Sequence, residues 1–483
     1  MNTASLMKQS ISFFLILFFL SANATVNLRG ICVDSTINEE EYLWKAGISA
    51  EVMTPEGRMW LGGYGSRNRP AEGVMKDLWV KVLVLENKRG ERVVLVTTDM
   101  VGMPKDMSDR IRKALNTRFK LSKAQIILNS SHTHSGPVLI DELHDYYAVK
   151  FDERELETIR NYSRNLENKI ISCVERAMKS LQPVYVFTGN GLTRFQVNRY
   201  NNAEAEVSKL FETNGPNDYA VPVLKVQNVS GKIISIVFGY ACHATVAGGY
   251  LWSPDYPGYA RIELEKIYPG ATAIFFQGCG GDQNPLPRKA SAEALLVQQY
   301  GRELAAAVEC VVEGGMDRQP SVLKSVYAEI DLPFSDTPAI SELKDIASSS
   351  TGYEGLWAGR LLKEFEEKGS LMKSYPYPIQ IWMVGNQPVF SLGGEIVIAY
   401  ARELKRMYGY NAFVMGYNND VMAYIPSSDI LEKGGYEGAR SLMYFNSVAS
   451  GWDTGIEFRI LSEMQVLAEK IGLPKVQRSI IRK

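Results

Sequence analysis

Apolar residues recur along this chain in two alternating rhythms. Over 107–119 and 154–180 they return at intervals of three and four, which predicts amphipathic helices, the second of them long. Between and after these segments stand short runs rich in β-branched and aromatic residues: 124–129 (AQIILN), 184–187 (VYVF), 221–226, 233–238 and 271–276. Their length and composition predict strands. Asn228-Val229-Ser230-Gly231 separates 221–226 from 233–238, and Gly385-Asn386 separates 379–384 from 388–391, so each pair is predicted to form a hairpin. A helix is predicted over 395–407, after Gly393-Gly394. The charged, Ser- and Gly-rich stretch 335–374 reads as a helical surface insertion, not a boundary. No internal repeat interrupts the alternation. The pattern predicts an α/β fold, a mixed β-sheet core flanked by helices.

Composition narrows the functional classes. The 483 residues are 46% hydrophobic and 22% charged, ordinary values for a globular protein. With 53 basic against 54 acidic side chains there is no basic excess to attract a nucleic acid. Near the N-terminus, Lys8 precedes the apolar run 11–20, and Ala22-Asn23-Ala24 follows. This is the layout of a signal peptide over 1–24, cleaved after Ala24, and it predicts an exported, periplasmic or secreted protein. An uncleaved anchor helix is the competing reading, but the run is short for a span and no later run of about 18 apolar residues occurs, so no stable membrane span is expected. Residues 25–483 are expected to form one catalytic domain. Cys32, Cys173, Cys242, Cys279 and Cys310 make an odd count without a CxxC pair. Export permits a disulfide, for instance between Cys242 and Cys279, and buried thiols are equally compatible with the sequence.

Chemistry concentrates at predicted strand ends. Of only four histidines, His132 and His134 lie in Asn129-Ser130-Ser131-His132-Thr133-His134-Ser135-Gly136-Pro137, just past 124–129, and His243 lies just past 233–238. Ligands of open α/β sheets bind beyond the carboxyl ends of strands. Imidazole is the commonest metal ligand and titrates near neutrality, so two such groups two residues apart on an extended stretch, with a third nearby, point to a metal or acid–base site. Gln277-Gly278-Cys279-Gly280-Gly281-Asp282-Gln283-Asn284 also follows a strand. Its glycines either let the backbone approach a ligand or serve a tight turn. It is neither a P-loop nor a dinucleotide fingerprint. Glu395 could complete a His2Glu zinc set or complement a helix N-terminus.

Taken together, these motifs resemble the neutral (non-lysosomal) ceramidase family. The resemblance runs from about residue 45 to 453: Gly62-Gly63-Tyr64-Gly65, the strand ending in Asp99, His132-Thr133-His134-Ser135-Gly136-Pro137, Val197-Asn198-Arg199, Cys242-His243, Asp255 to Ala260, Gly281-Asp282, Ala423-Tyr424-Ile425 and Tyr436-Glu437-Gly438-Ala439. It implies a catalytic zinc held by His132, His243, Glu395 and Tyr424. It implies too that His134, Arg199 and Tyr436 surround a scissile amide, stabilising the developing oxyanion or protonating the leaving nitrogen while a zinc-activated water attacks.

The chain also departs from that pattern. Asn284 stands where the family has a serine assigned a nucleophile's role, and a carboxamide cannot take that role. Val138 and Leu139 replace two glycines, and the chain ends before the family's C-terminal β-sandwich domain. Asn284 is therefore expected to bind substrate or brace the loop. The leading expectation is an exported zinc hydrolase acting on an N-acyl amide. The alternatives are hydrolysis of an ester or carbohydrate-derived bond, or a binding protein without catalysis; in each case the partner is a small-molecule, lipid-like or glycan-like compound.

Overall fold

Strand β2 (Trp79–Glu86) explains why so many predicted strands read as continuous apolar runs. Val80, Val82 and Val84 point to one buried layer, and Leu83 and Leu85 point to another. A strand covered on both faces needs no polar alternation. In this computed structural model, which describes residues 39–476 apart from 143–150, 289, 336–337 and 446–450, β2 lies within a large mixed sheet. The 11–20 run and the proposed cleavage site lie outside the described residues.

The other long strands of that sheet are β1 (Trp44–Val52), β3 (Arg92–Thr98), β4 (Ile126–Ser130), β5 (Gln182–Leu192), β6 (Ala220–Asn228), β7 (Ile233–Tyr240) and β8 (Thr272–Gln277), in spatial order β8-β7-β6-β5-β1-β2-β3-β4. The β7–β8 and β3–β4 pairs are parallel, and the other pairs along this path antiparallel. A second sheet, β9 (Leu323–Pro333), β10 (Ser374–Val384), β11 (Gln387–Leu392) and β12 (Phe413–Met415), packs on it through Trp382, Val384, Val389 and Phe413. Helices cover both outer faces. α1 (Lys105–Phe119), α2 (Glu153–Lys179), α3 (Asp255–Ile267) and α4 (Glu293–Gly314) belong to the first sheet's side, and α5 (Ile340–Ser349), α6 (Tyr353–Lys368) and α7 (Ile398–Tyr408) to the second's. The predicted fold class is the observed one.

The long helix α2 begins where its sequence provides a capping box: Asp152 accepts from the Glu155 amide and the Glu155 side chain accepts from the Asp152 amide. Its buried stripe, Ile159, Leu166, Ile170, Cys173 and Ala177, follows the helical period. Both predicted hairpins form, and 335–374 holds α5 and α6. The helix predicted from 395 starts only at Ile398. Gly394, at φ +68, turns the chain, and Glu395–Ile396 pairs as a short parallel strand with Tyr424–Ile425. Glu395 is therefore not a helix N-terminal charge. The Ile398 amide instead donates to Asp282 from another loop. Cys242 and Cys279 are separate buried thiols, not a disulfide. Among the described residues no helix is long and apolar enough to cross a membrane.

One side chain joins three edges. Asn129, at the end of β4, accepts from the Gln277 amide of β8 and donates to Gly416 O and Asn418 Oδ1 beyond β12, each at 2.9 Å. It thereby links the two edge strands of the large sheet to the second sheet, in the region where the candidate site stands.

Candidate metal centre and cleft

Four strand ends deliver the predicted residues to one place. His132 and His134 follow β4, His243 follows β7, the Asn284 loop follows β8, and Glu395 follows β11. His132 does not sit on an extended stretch: its φ is +58, a left-handed conformation that a β-carbon disfavours. The two histidines nevertheless converge, Nε2 to Nε2, at 3.1 Å, and a parallel bridge from Thr133 to Ala244 holds their turn against the His243 segment.

The ring tautomers follow from their partners. His132 Nδ1 lies 2.7 Å from Val101 O, and His243 Nδ1 lies 2.7 Å from Gly280 O. Carbonyls only accept, so each Nδ1 carries a proton, and in the uncharged ring the Nε2 lone pair turns inward. Those lone pairs face Glu395 Oε2 at 3.2 and 3.3 Å, and that buried oxygen has no hydrogen-bond partner. Burial, then Arg199, pushes the His243 imidazole down to about 3, and burial holds His134 well below its usual value. Burial would raise the Glu395 carboxyl, but His132 and His243 outweigh it and hold it well below the ordinary range. Three lone pairs pointed at one another without a proton repel, and a cation among them removes the conflict. The donors of His132, His134 and His243 also lie within 4.8 Å of one another, close enough to share an ion. The chemistry of this set suits a divalent metal such as zinc.

Beside this centre, Arg199 is half-buried and satisfied on three sides. Its guanidinium donates to the Tyr424 hydroxyl at 2.9 Å, to Glu437 at 2.8 Å and to Asn284 Oδ1 at 3.3 Å. Tyr424 OH lies 3.4 Å from His243 Nε2. Burial raises the Tyr424 phenol well above its usual value, with Arg199 pulling the other way. Tyr436 stacks edge to face on Tyr424, with centroids 5.5 Å apart. A cleft of about 310 Å³ opens over the centre, with His134, Glu395 and Tyr424 among its lining residues and Tyr64, Tyr353, Tyr436, Tyr444 and Phe445 as its aromatic members. All eight residues expected from the sequence thus gather in one neighbourhood.

The sequence reading missed several participants. Glu437 lies in a quoted motif, yet only the fold shows it holding Arg199. Arg67 donates to the carbonyls of Gly62, His134 and Gly249, fixing the His134 turn. Tyr353, Tyr444 and Phe445 carried no local signal. The glycine loop packs closely on protein: the Gly281 amide donates to Ile396 O, and a β-carbon on Gly281 would lie 2.5 Å from Glu395 O. On the opposite wall Gly63, at φ +95, has no room for a β-carbon against His134.

Comparison with known proteins gives a consistent picture. The family model described as neutral/alkaline non-lysosomal ceramidase, N-terminal, matches residues 45–292. Neutral ceramidase B of Dictyostelium discoideum is 27% identical over 262 residues, which cover 50% of this chain and 34% of that protein. Neutral ceramidase of Pseudomonas aeruginosa is 25% identical over 261 residues, 50% of this chain and 36% of that one. The chain thus aligns with about a third of the length of these curated relatives. The crystal structure of neutral ceramidase from Pseudomonas aeruginosa superposes with a TM-score of 0.68 at 19% identity, covering 91% of this chain and 76% of that one. The fold is shared.

Proposed function

Because the chain belongs to the neutral/alkaline non-lysosomal ceramidase family, we propose that it is a zinc-dependent hydrolase of an N-acyl amide bond. The observation that carries the reading is the unpartnered Glu395 oxygen facing two imidazole lone pairs. His132, His243, Glu395 and Tyr424 would hold the ion. When bound, zinc polarises a carbonyl and makes water a better nucleophile near neutral pH.

The chain's own residues do the rest. Arg199, anchored by Glu437, keeps a fixed positive charge beside Tyr424 and favours negative charge there. His134 lines the cleft with its Nε2 3.1 Å from that of His132, and in this reading it passes a proton to the scissile nitrogen. Tyr436, part-exposed on the cleft, is placed to donate to an oxygen of the substrate. Asn284 bonds Arg199 through its carbonyl oxygen and supplies no nucleophile, so no acyl-enzyme forms. Export after cleavage near Ala24 is part of the same proposal.

The test is metal analysis together with a panel of N-acyl, ester and glycoside substrates. Chelation is expected to abolish amide cleavage and zinc to restore it, with no adduct of substrate mass on the intact protein after rapid quench. Full activity without metal, or a kinetically competent adduct, would overturn the mechanism. Asn284 favours the second reading, a binding protein. Saturable binding with no turnover of any substrate, gained only in Asn284→Ser, would establish it.

A further inference from the structure

The cleft over the candidate centre has a lining that long alkyl chains do not call for. Its aliphatic members are only Val101 and Val421, against six aromatic rings, those of Tyr64, Tyr353, Tyr424, Tyr436, Tyr444 and Phe445. One wall is a ladder of rings. Tyr353, at the start of α6, meets Tyr444 edge to face at 5.2 Å; Tyr444 meets Tyr436 at 6.4 Å; and Tyr436 meets Tyr424 at 5.5 Å. The ladder leads from the 335–374 insertion down to Tyr424, and its residues lie beyond the segment 45–292 matched by the family model. Arg360 of α6 donates to Phe445 O, which ties the insertion to this wall.

Two further observations specify the occupant. The hydroxyls of Tyr353 and Tyr436 make no hydrogen bond to any described residue, and both residues line the cleft, so they present polar tips to whatever enters. A volume of about 310 Å³ stands at the lower end of the roughly 300–1,000 Å³ range of ligand clefts, room for one ring and a short acyl group. Flat apolar faces with unused hydroxyls at their edges match a saturated ring whose C–H faces stack and whose hydroxyls pair with the tyrosines.

We infer that this cleft is a subsite for a single polyhydroxylated ring, so that the substrate is an N-acylated amino sugar with a small acyl group, not a two-chain lipid. The inference rests on the amide-hydrolase reading for its chemistry and on the ring wall for its selectivity. The reaction is a hydrolysis: the acyl carbon–nitrogen bond breaks, the oxygen of water joins the acyl carbon, and the nitrogen takes a proton. The products are a small carboxylate and a free amino sugar.

The test separates binding from turnover. Ligand-observed NMR on the purified protein, without added metal, compares an N-acetylhexosamine methyl glycoside with N-acetyl-octylamine and acetanilide. The hexosamine is expected to bind at least about tenfold more tightly than either. Tyr353→Phe is expected to weaken it about fivefold and Tyr444→Ala about tenfold, through one hydrogen bond and one stacked ring. In the zinc-loaded enzyme the same variants should raise KM and leave kcat nearly unchanged. Equal or tighter binding of the alkyl or aromatic amide, or no effect of either variant, would overturn the ring subsite. A short-chain N-acyl sphingosine cleaved while the hexosamine neither binds nor reacts would also overturn it, leaving the amide-hydrolase reading intact. Hexosamine binding with no amide cleaved would uphold the subsite and sink the hydrolase.

Discussion

His132 and His243 each present one nitrogen to the centre while a backbone carbonyl fixes the other, so each ring is a committed donor before any ion arrives. Replacing either with alanine removes one of the four proposed donors. His132→Ala and His243→Ala are expected to lose the metal while keeping the fold; full zinc in both by elemental analysis would refute the assignment. His134 and Tyr436 have different jobs in the proposal. His134→Ala and Tyr436→Phe should retain zinc and lose roughly 10²- to 10³-fold in kcat, the usual cost of one transition-state donor. Loss of metal in either would show that ligand and donor had been exchanged.

Elements carry the residues to the site, and the Gly278–Gly281 loop shows how. Its carbonyl at Gly280 holds His243, and its amide at Gly281 holds the short Glu395 strand. Gly281→Ala would push a methyl group into the Glu395 backbone and separate the two donors. Weaker zinc affinity is expected, at least about tenfold, measured by competition with a chromogenic chelator; unchanged affinity would show that the loop is not the brace described here. This loop also marks where sequence reading stopped. Strand ends bearing His132, His243 and Glu395 were legible because period and composition locate strands, and strand ends locate sites. Glu395 in a strand, not at a helix start, was illegible because its partner Tyr424 is 29 positions away. The positive φ of His132 was likewise hidden, since nothing in the neighbouring residues announces it. The ring wall was invisible because Tyr353 and Tyr444 meet only through tertiary packing of the insertion.

At the scale of the whole molecule, stability depends on buried ionisable groups that take no part in the proposed chemistry. Asp420 is buried, accepts from the Tyr375 hydroxyl at 2.7 Å, and has its pKa pushed up from 3.8 to about 7, chiefly by burial. The folded state therefore keeps this proton longer than the unfolded chain does. Its contribution is most favourable below about pH 4 and is lost as pH rises toward 7. Asp420→Asn preserves an acceptor for Tyr375 and abolishes the titration. Urea unfolding at pH 5 and pH 8 is expected to show the variant gaining on wild type at the higher pH; parallel curves would contradict this.

The candidate ligands come from far-separated parts of the chain. His132 and His243 precede residue 292, whereas Glu395 and Tyr424 follow it, and Asn129 draws their supporting edges together. The first 292 residues hold every histidine of the chain, His132, His134 and His243 among them, and neither oxygen donor. On the proposed ligand set of His132, His243, Glu395 and Tyr424, the site is complete only when the last third has been synthesised and its sheet has docked. Zinc bound through all four proposed ligands is thus a mark of completed biosynthesis.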